Sequence, residues 1–88
     1  MQKITIEGVA IVNNSNGIMH VLPRPHRHKD ILNYLKQNKI EIDNYIEGFV
    51  TNTGTFVTRK EAKIIAIDAG QIINNYNTGP LLWSDDVW

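Results

Sequence analysis

The chain has no cysteine, only two serines, three prolines and no apolar run approaching the roughly 20 residues of a membrane span. Each absence removes a class of explanation. Without cysteine there is no disulfide and no thiolate metal site, and covalent catalysis loses its strongest nucleophile. Ser15 and Ser84 are the only serines, and no nucleophile–base pair is visible around either. The segment Met1 to Glu7 alternates apolar and polar residues and lacks the apolar stretch of a signal peptide. These features predict a cytoplasmic protein. Charge of one sign is missing too, since nine basic residues meet nine acidic ones. Affinity for duplex DNA draws on a basic excess through counterion release, so a general DNA-binding role is disfavoured.

What remains is the composition of a folded protein, 42% hydrophobic and 20% charged, in 88 residues that fit a single domain spanning 1–88. A core of this size supplies about 3–5 kcal/mol of net stability, and small domains without disulfides or metals commonly add self-association. A homodimer or higher homo-oligomer is therefore expected.

Residues 3–12 read as a strand, with Ile4 and Ile6, then Val9 and Ile11, in period two, and Gly8 as a bulge or close-contact point between them. The Asn-Gly at 16–17 closes a hairpin, because both residues tolerate positive φ. Ile18 to Leu22 is the returning strand. Pro23 and Pro25 stop it, and a helix from about His26–His28 to Asn38 follows, with Ile31, Leu32 and Leu35 on one face. A short extended piece is expected over Ile40, Ile42 and Tyr45. Residues 47–57 form a second hairpin around an Asn-Thr-Gly turn. Thr58 to Glu61 has the form of a capping box for a second helix, Arg59 to Ala69, ended by Gly70. Ala62, Ile65, Ala66 and Ala69 give that helix a small-residue face. The order ββαββα predicts an α+β fold: an antiparallel sheet with two helices packed on one face and a docked C-terminal tail.

The densest functional signal is Arg24-Pro25-His26-Arg27-His28-Lys29-Asp30. Basic and protonatable groups crowd a proline-fixed loop that feeds a helix start, where free amides favour anions and arginine offers paired donors to phosphate. The competing reading is a solvated helix start whose Asp30 complements the dipole. His26, His28 and Asp30 also spell H-x-H-x-D, a metal pattern that would need more ligands than this chain offers. Phe49 with Thr51 and Asn52 could stack and read a nucleobase, although a hairpin phenylalanine is more often core. Arg59 and Lys60 oppose the dipole of the second helix, which fits either a nearby anion or a solvated face. Trp83 and Trp88 mark a tail that docks on the domain's own core or on a partner subunit.

Taken in order, Leu22 to Leu32, Gly48-Phe49-Val50, Phe56 to Ala62, Ala66 to Ile72 and Ser84-Asp85-Asp86-Val87-Trp88 cover most of the chain. This series resembles the first-described type of phage Thoeris anti-defence protein. The resemblance implies a non-catalytic sponge, acting in the host bacterial cytosol, that sequesters a cyclic ADP-ribose isomer and in some members cyclic oligonucleotides. It implies no cofactor, and homo-oligomers with pockets at the subunit edge. Arg27, His28, Phe49 and Arg59 are the positions it carries over. Lys29 and Thr58 depart from the pattern, and the chain is more compact than longer members. With the reading of the residues themselves, the expected ligand-binding set is Arg24, Arg27, His28, Phe49, Thr51, Asn52 and Arg59, and the expected partner is a small cyclic nucleotide. The rival readings are a metal-dependent phosphoesterase on His26, His28 and Asp30, and a protein-binding adaptor using the tryptophan tail.

Overall fold

The computed structural model describes residues 3–41, 43–74 and 77–88. Strands β1 (Ile6–Asn13) and β2 (Met19–Pro23), helix α1 (His28–Gln37), strands β3 (Tyr45–Thr51) and β4 (Phe56–Thr58) and helix α2 (Arg59–Asp68) follow in chain order. The four strands make one antiparallel sheet in the order β2-β1-β3-β4. The fold is the α+β arrangement that the sequence predicts.

Local chemistry explains each boundary. The first hairpin turns where Gly17, at φ 73°, donates to the Asn13 carbonyl at 2.8 Å and the Asn13 side chain accepts from Ser15 N–H. Thr58 and Glu61 exchange side-chain and backbone hydrogen bonds at 3.1–3.2 Å, so α2 begins with its end amides satisfied. Gly70, at φ 69°, donates to Ile67 while Gln71 N–H donates back to Ala66, a C-terminal lock that ends α2. The extended piece expected near residue 40 is not a strand at Ile40. Tyr45 opens β3, and Ile42 lies outside the described residues.

A break of register between Ile6 and Gly8 makes the expected bulge in β1. Strict alternation would turn Ile6 away from the face that holds Val9 and Ile11. The bulge returns it to that face, where it is fully buried. The Ile6 amide and carbonyl are then engaged by Gln71, whose side chain accepts from the one at 2.8 Å and donates to the other at 2.9 Å. An amide side chain thus stands where a strand neighbour would.

The inward face carries Val9, Ile11, Phe49 and Val57. Against it pack Ile31 and Leu35 of α1, Ala62 and Ala66 of α2, and Leu82 and Val87 of the tail. Each large side chain buried there stabilises the fold by about 1.5–3 kcal/mol. Ala62 and Ala66 are fully buried, so α2 lies close on the sheet as its small-residue face predicts. The tail returns across the helices: Arg59 O accepts from Leu82 N–H, and Ile73 N–H donates to Asp86 O at 2.7 Å.

The opposite face contributes none of the residues of that buried cluster; on it Gly8, Ala10, Gly48 and Val50 are buried, and Met19, Val21 and Ile46 are exposed. Its outward positions are Met19, Val21 and Pro23 on β2, then Gly8, Ala10 and Val12 on β1. They continue with Ile46, Gly48 and Val50 on β3, and Phe56 and Thr58 on β4. The Phe56 ring lies over Gly48, where an added Cβ would come within 2.6 Å of the ring and would meet the Val57 carbonyl. Gly48→Ala should therefore cost about 1–3 kcal/mol through forced displacement of β4. Chemical denaturation would show this as a lower midpoint with an unchanged slope. A wild-type midpoint would mean that β4 yields without cost.

Candidate functional site

The start of α1, the middle of β3, the start of α2 and the tail meet at one end of the inward face. Arg27 is the N-cap of α1, and its extended backbone lets its N–H donate to the Asp30 carboxylate at 2.8 Å. That bond holds the Asp30 carboxyl below its usual range. The next residue, His28, turns inward and is buried. Its ring meets Phe49 edge-on at 5.1 Å between centroids, and its Nε2–H donates to the Gly48 carbonyl at 2.7 Å. A carbonyl only accepts, so Nε2 carries the proton and Nδ1 is the free lone pair. That lone pair faces Arg59 Nη2 at 3.4 Å. Burial is the largest cause lowering the His28 pKa from 6.5, and the Arg59 charge adds to it. The Gly48 hydrogen bond and Glu47 pull the other way. His28 is therefore a neutral, fixed imidazole at the floor of the site.

Arg59 is held on three sides. It pairs with Glu47 at 2.6 Å, donates to the Leu82 carbonyl at 2.9 Å and stands 6.0 Å from the centre of the Phe49 ring. Arg27 reaches the other way, to the Asp85 carboxylate, to Ser84 Oγ at 3.1 Å and to the Trp88 main-chain oxygen at 2.6 Å. The two guanidinium groups flank a cleft of about 560 Å³ whose wall also includes His28, Lys29, Glu47 and Trp83. Trp83 is 56% exposed, whereas Trp88 packs on the Phe49 ring and donates through Nε1 to the His26 carbonyl. The tail thus docks on the domain's own core through one indole and leaves the other at the cleft.

The structure brings together Arg27, His28 and Arg59 from the expected set and separates the others. Phe49 is 0% exposed, so its ring packs beneath the cleft and offers no face to a base. The reading of this residue as a stacking platform is corrected on that ground. Thr51 and Asn52 sit at the far end of β3. There Thr51 Oγ1 bonds within the turn, and the Asn52 side chain accepts from Thr5 N–H and donates to the Lys3 carbonyl. Four residues of strand, about 13 Å, separate them from Glu47. Arg24 is exposed, pairs with Glu7 at 3.6 Å and does not line the cleft. Of the histidine–aspartate motif, His26 pairs with Asp30 at 3.5 Å, and His28 has its Nδ1 turned to a guanidinium. The motif therefore does not converge on a metal. No group of three His, Cys, Asp or Glu with metal-binding geometry exists among the described residues.

Sequence reasoning missed Glu47, Asp85 and Trp83 as parts of the site. Two acidic residues in a tail, facing a chain with a basic loop, were the available signal for Asp85. Asp86 beside it points inward and is fully buried: its Oδ2 accepts from Asn77 Nδ2 and Trp83 N–H, and its Oδ1 has no hydrogen-bond partner among the described residues.

Fold and site together define a small α+β module with one arginine-flanked cleft closed by its own tail. The family described as phage T4 y16D protein matches residues 5–88, and the chain belongs to that family. No curated protein and no solved structure is similar to it. Membership makes it a phage-type protein, in keeping with the phage side of the sequence resemblance. Among the described residues no helix is long and apolar enough to cross a membrane.

The state of His28 sets a pH dependence. The unfolded chain takes up a proton near pH 6.5 and the folded chain only at lower pH. The stability due to neutral His28 is therefore complete above about pH 6.5 and is lost as pH falls. The lowered carboxyls of Asp30 and Glu61 begin to matter only further down, near their ordinary values of 3.8 and 4.5. Melting temperature should fall between pH 7 and about 5, and His28→Gln should flatten that slope. An equally steep slope in the variant would place its origin elsewhere.

Proposed function

We propose that this protein is a non-catalytic binder of a small phosphate-bearing ligand, seated in the cleft between Arg27 and Arg59. The observation that carries this reading is the convergence of Arg27, Lys29 and Arg59 on one cleft beside an exposed indole, Trp83. Guanidinium groups suit phosphate oxygens because their paired donors match them, and an indole face suits a nucleobase. Trp83 takes the role that the buried Phe49 cannot. The α1 start adds the positive end of its dipole. Asp85, itself 66% exposed, is the counter-ion that an incoming phosphate replaces on Arg27.

In its finer form the proposal is a phage anti-defence sponge that sequesters a cyclic nucleotide signal, such as a cyclic ADP-ribose isomer or a cyclic oligonucleotide, in the host cytosol. Sequestration needs tight, complementary binding and no bond-making group. The arrangement of Arg59, Glu47 and neutral His28 fits that, because it fixes donors without exposing a nucleophile.

Incubation with the cyclic ADP-ribose isomer should deplete free ligand from solution, and heating should return it unaltered. A thermal shift should accompany binding, since a hundredfold ligand excess over Kd adds about 2.7 kcal/mol of stability. Lys29→Glu, at an exposed position on the rim, should weaken binding at least tenfold with the melting temperature of the free protein unchanged. Recovery of a cleaved product would make the protein an enzyme. Absence of any shift across cyclic nucleotides and ADP-ribose derivatives would remove the nucleotide reading.

A further inference from the structure

Three asparagines fold their side chains back over the chain that follows them. Asn13 Oδ1 accepts from Ser15 N–H at 2.9 Å, Asn16 Oδ1 from Ile18 N–H at 2.9 Å, and Asn77 Oδ1 from Gly79 N–H at 3.1 Å. Each closes an Asx turn, in which the side-chain oxygen bonds the amide two residues on. Such a turn brings the asparagine Cγ up to the intervening main-chain nitrogen. It also aims a donor at the oxygen where negative charge develops if that nitrogen attacks. Proximity of this kind turns a slow hydrolysis into an intramolecular reaction.

The three turns differ in the residue that carries the attacking nitrogen. Asn13 precedes Asn14 and Asn77 precedes Thr78, whose side chains crowd the approach, whereas Asn16 precedes Gly17. Asn16 alone among the ten asparagines is followed by glycine. Gly17 has no Cβ, and nothing lies within 4 Å of where one would stand. Burial separates the three as well. Asn13 is 9% exposed and Asn77 is half-buried, but residues 14–19 are all exposed, so water reaches Asn16. One contact opposes the attack, the 2.8 Å bond from Gly17 N–H to the Asn13 carbonyl. In an exposed turn such a bond opens locally at little cost.

We propose that Asn16 is a self-modifying site, where the folded turn converts the side-chain amide to a carboxylate with water as the only co-reactant. The Gly17 nitrogen bonds to Asn16 Cγ, the Cγ–Nδ2 bond breaks, and ammonia leaves with the Gly17 proton. The cyclic imide that results takes up water at either of its carbonyls. Opening at the side-chain carbonyl gives aspartate. Opening at the main-chain carbonyl gives isoaspartate, in which the chain runs through the former side chain. Both products bring an extra negative charge into a turn that has none and into a chain of zero net charge. Isoaspartate also adds a methylene to the main chain. That parts the Gly17–Asn13 and Ile18–Asn16 hydrogen bonds that close the β1–β2 hairpin, which then frays at this end. No residue lining the cleft takes part, so the inference is independent of the ligand proposed above.

Incubation of the full chain near neutral pH for several weeks, followed by peptide mapping, reads the conversion. The expected result is the small mass gain of an amide-to-acid exchange at residue 16, with isoaspartate the major product. Asn13 and Asn77 should stay intact in the same sample, which makes them internal controls for the turn geometry. In oxygen-18 water the new carboxylate should carry the label. Gly17→Ala should slow the conversion at least tenfold, with circular dichroism as the check of folding. The isoaspartyl form, separated by ion exchange, should melt below the unaltered chain. Aspartate as the sole product, or conversion of Asn13 or Asn77 as fast as Asn16, would overturn the proposal. So would an amide at residue 16 that survives the whole incubation, or one that is lost only after the chain is unfolded in urea.

Discussion

The cleft end of the molecule is arranged around the buried ring of Phe49. His28 from α1 meets its edge, Trp88 from the tail packs beside it, and the Arg59 guanidinium from α2 stands over it. One side chain on β3 therefore sets the mutual positions of both helices and the tail. Aromatic contacts of this sort contribute about 0.5–1.5 kcal/mol beyond the area they bury. Their larger effect is geometric, since His28 and Arg59 also line the cleft and Trp88 holds Arg27 through its main-chain oxygen. The apolar packing fixes where the imidazole and the guanidinium point. Chemistry at the cleft depends on an interaction that never touches solvent.

The two guanidinium groups of the cleft are compensated within the chain. Arg59 has Glu47, and Arg27 has Asp85 with two oxygens of the tail. A zero net charge is the whole-chain counterpart of that local pairing. Partly buried guanidinium groups need such partners, because an unpaired charge in a poorly solvated place is costly. The pairing also holds the donors in place before any ligand arrives, which lowers the ordering cost of binding.

Much of the fold was legible because short-range chemistry and the long-range packing agree. The Asn-Gly turn, the Thr58–Glu61 box and the Gly70 stop each act within a few residues, and each appears in the structure. The bulge at Gly8 was readable from the change of phase between Ile6 and Val9. The site was less legible, for two physical reasons. A hairpin puts its turn and its open end at opposite ends of a strand, and the sequence does not say which end adjoins the helix start. Thr51 and Asn52 were placed with the arginines for that reason. Ion pairs such as Arg27–Asp85, meanwhile, join residues far apart in the chain, and nothing local announces them. The same limit hid the choice between Phe49 and Phe56: one faces the core and the other lies across Gly48 on the opposite face.

The last strip of chain, Leu81 to Trp88, completes the core with Leu82 and Val87 and ties itself to the helix start through Arg27. On a ribosome, which adds about 5–20 residues each second, the sheet and both helices emerge before that strip does. Until Trp88 has cleared the exit tunnel, the inward face lacks two of its apolar plugs and Phe49 lacks its indole neighbour. Closure of the domain thus waits on residues made after the sheet and both helices, and until they arrive the nascent chain keeps an apolar surface in water.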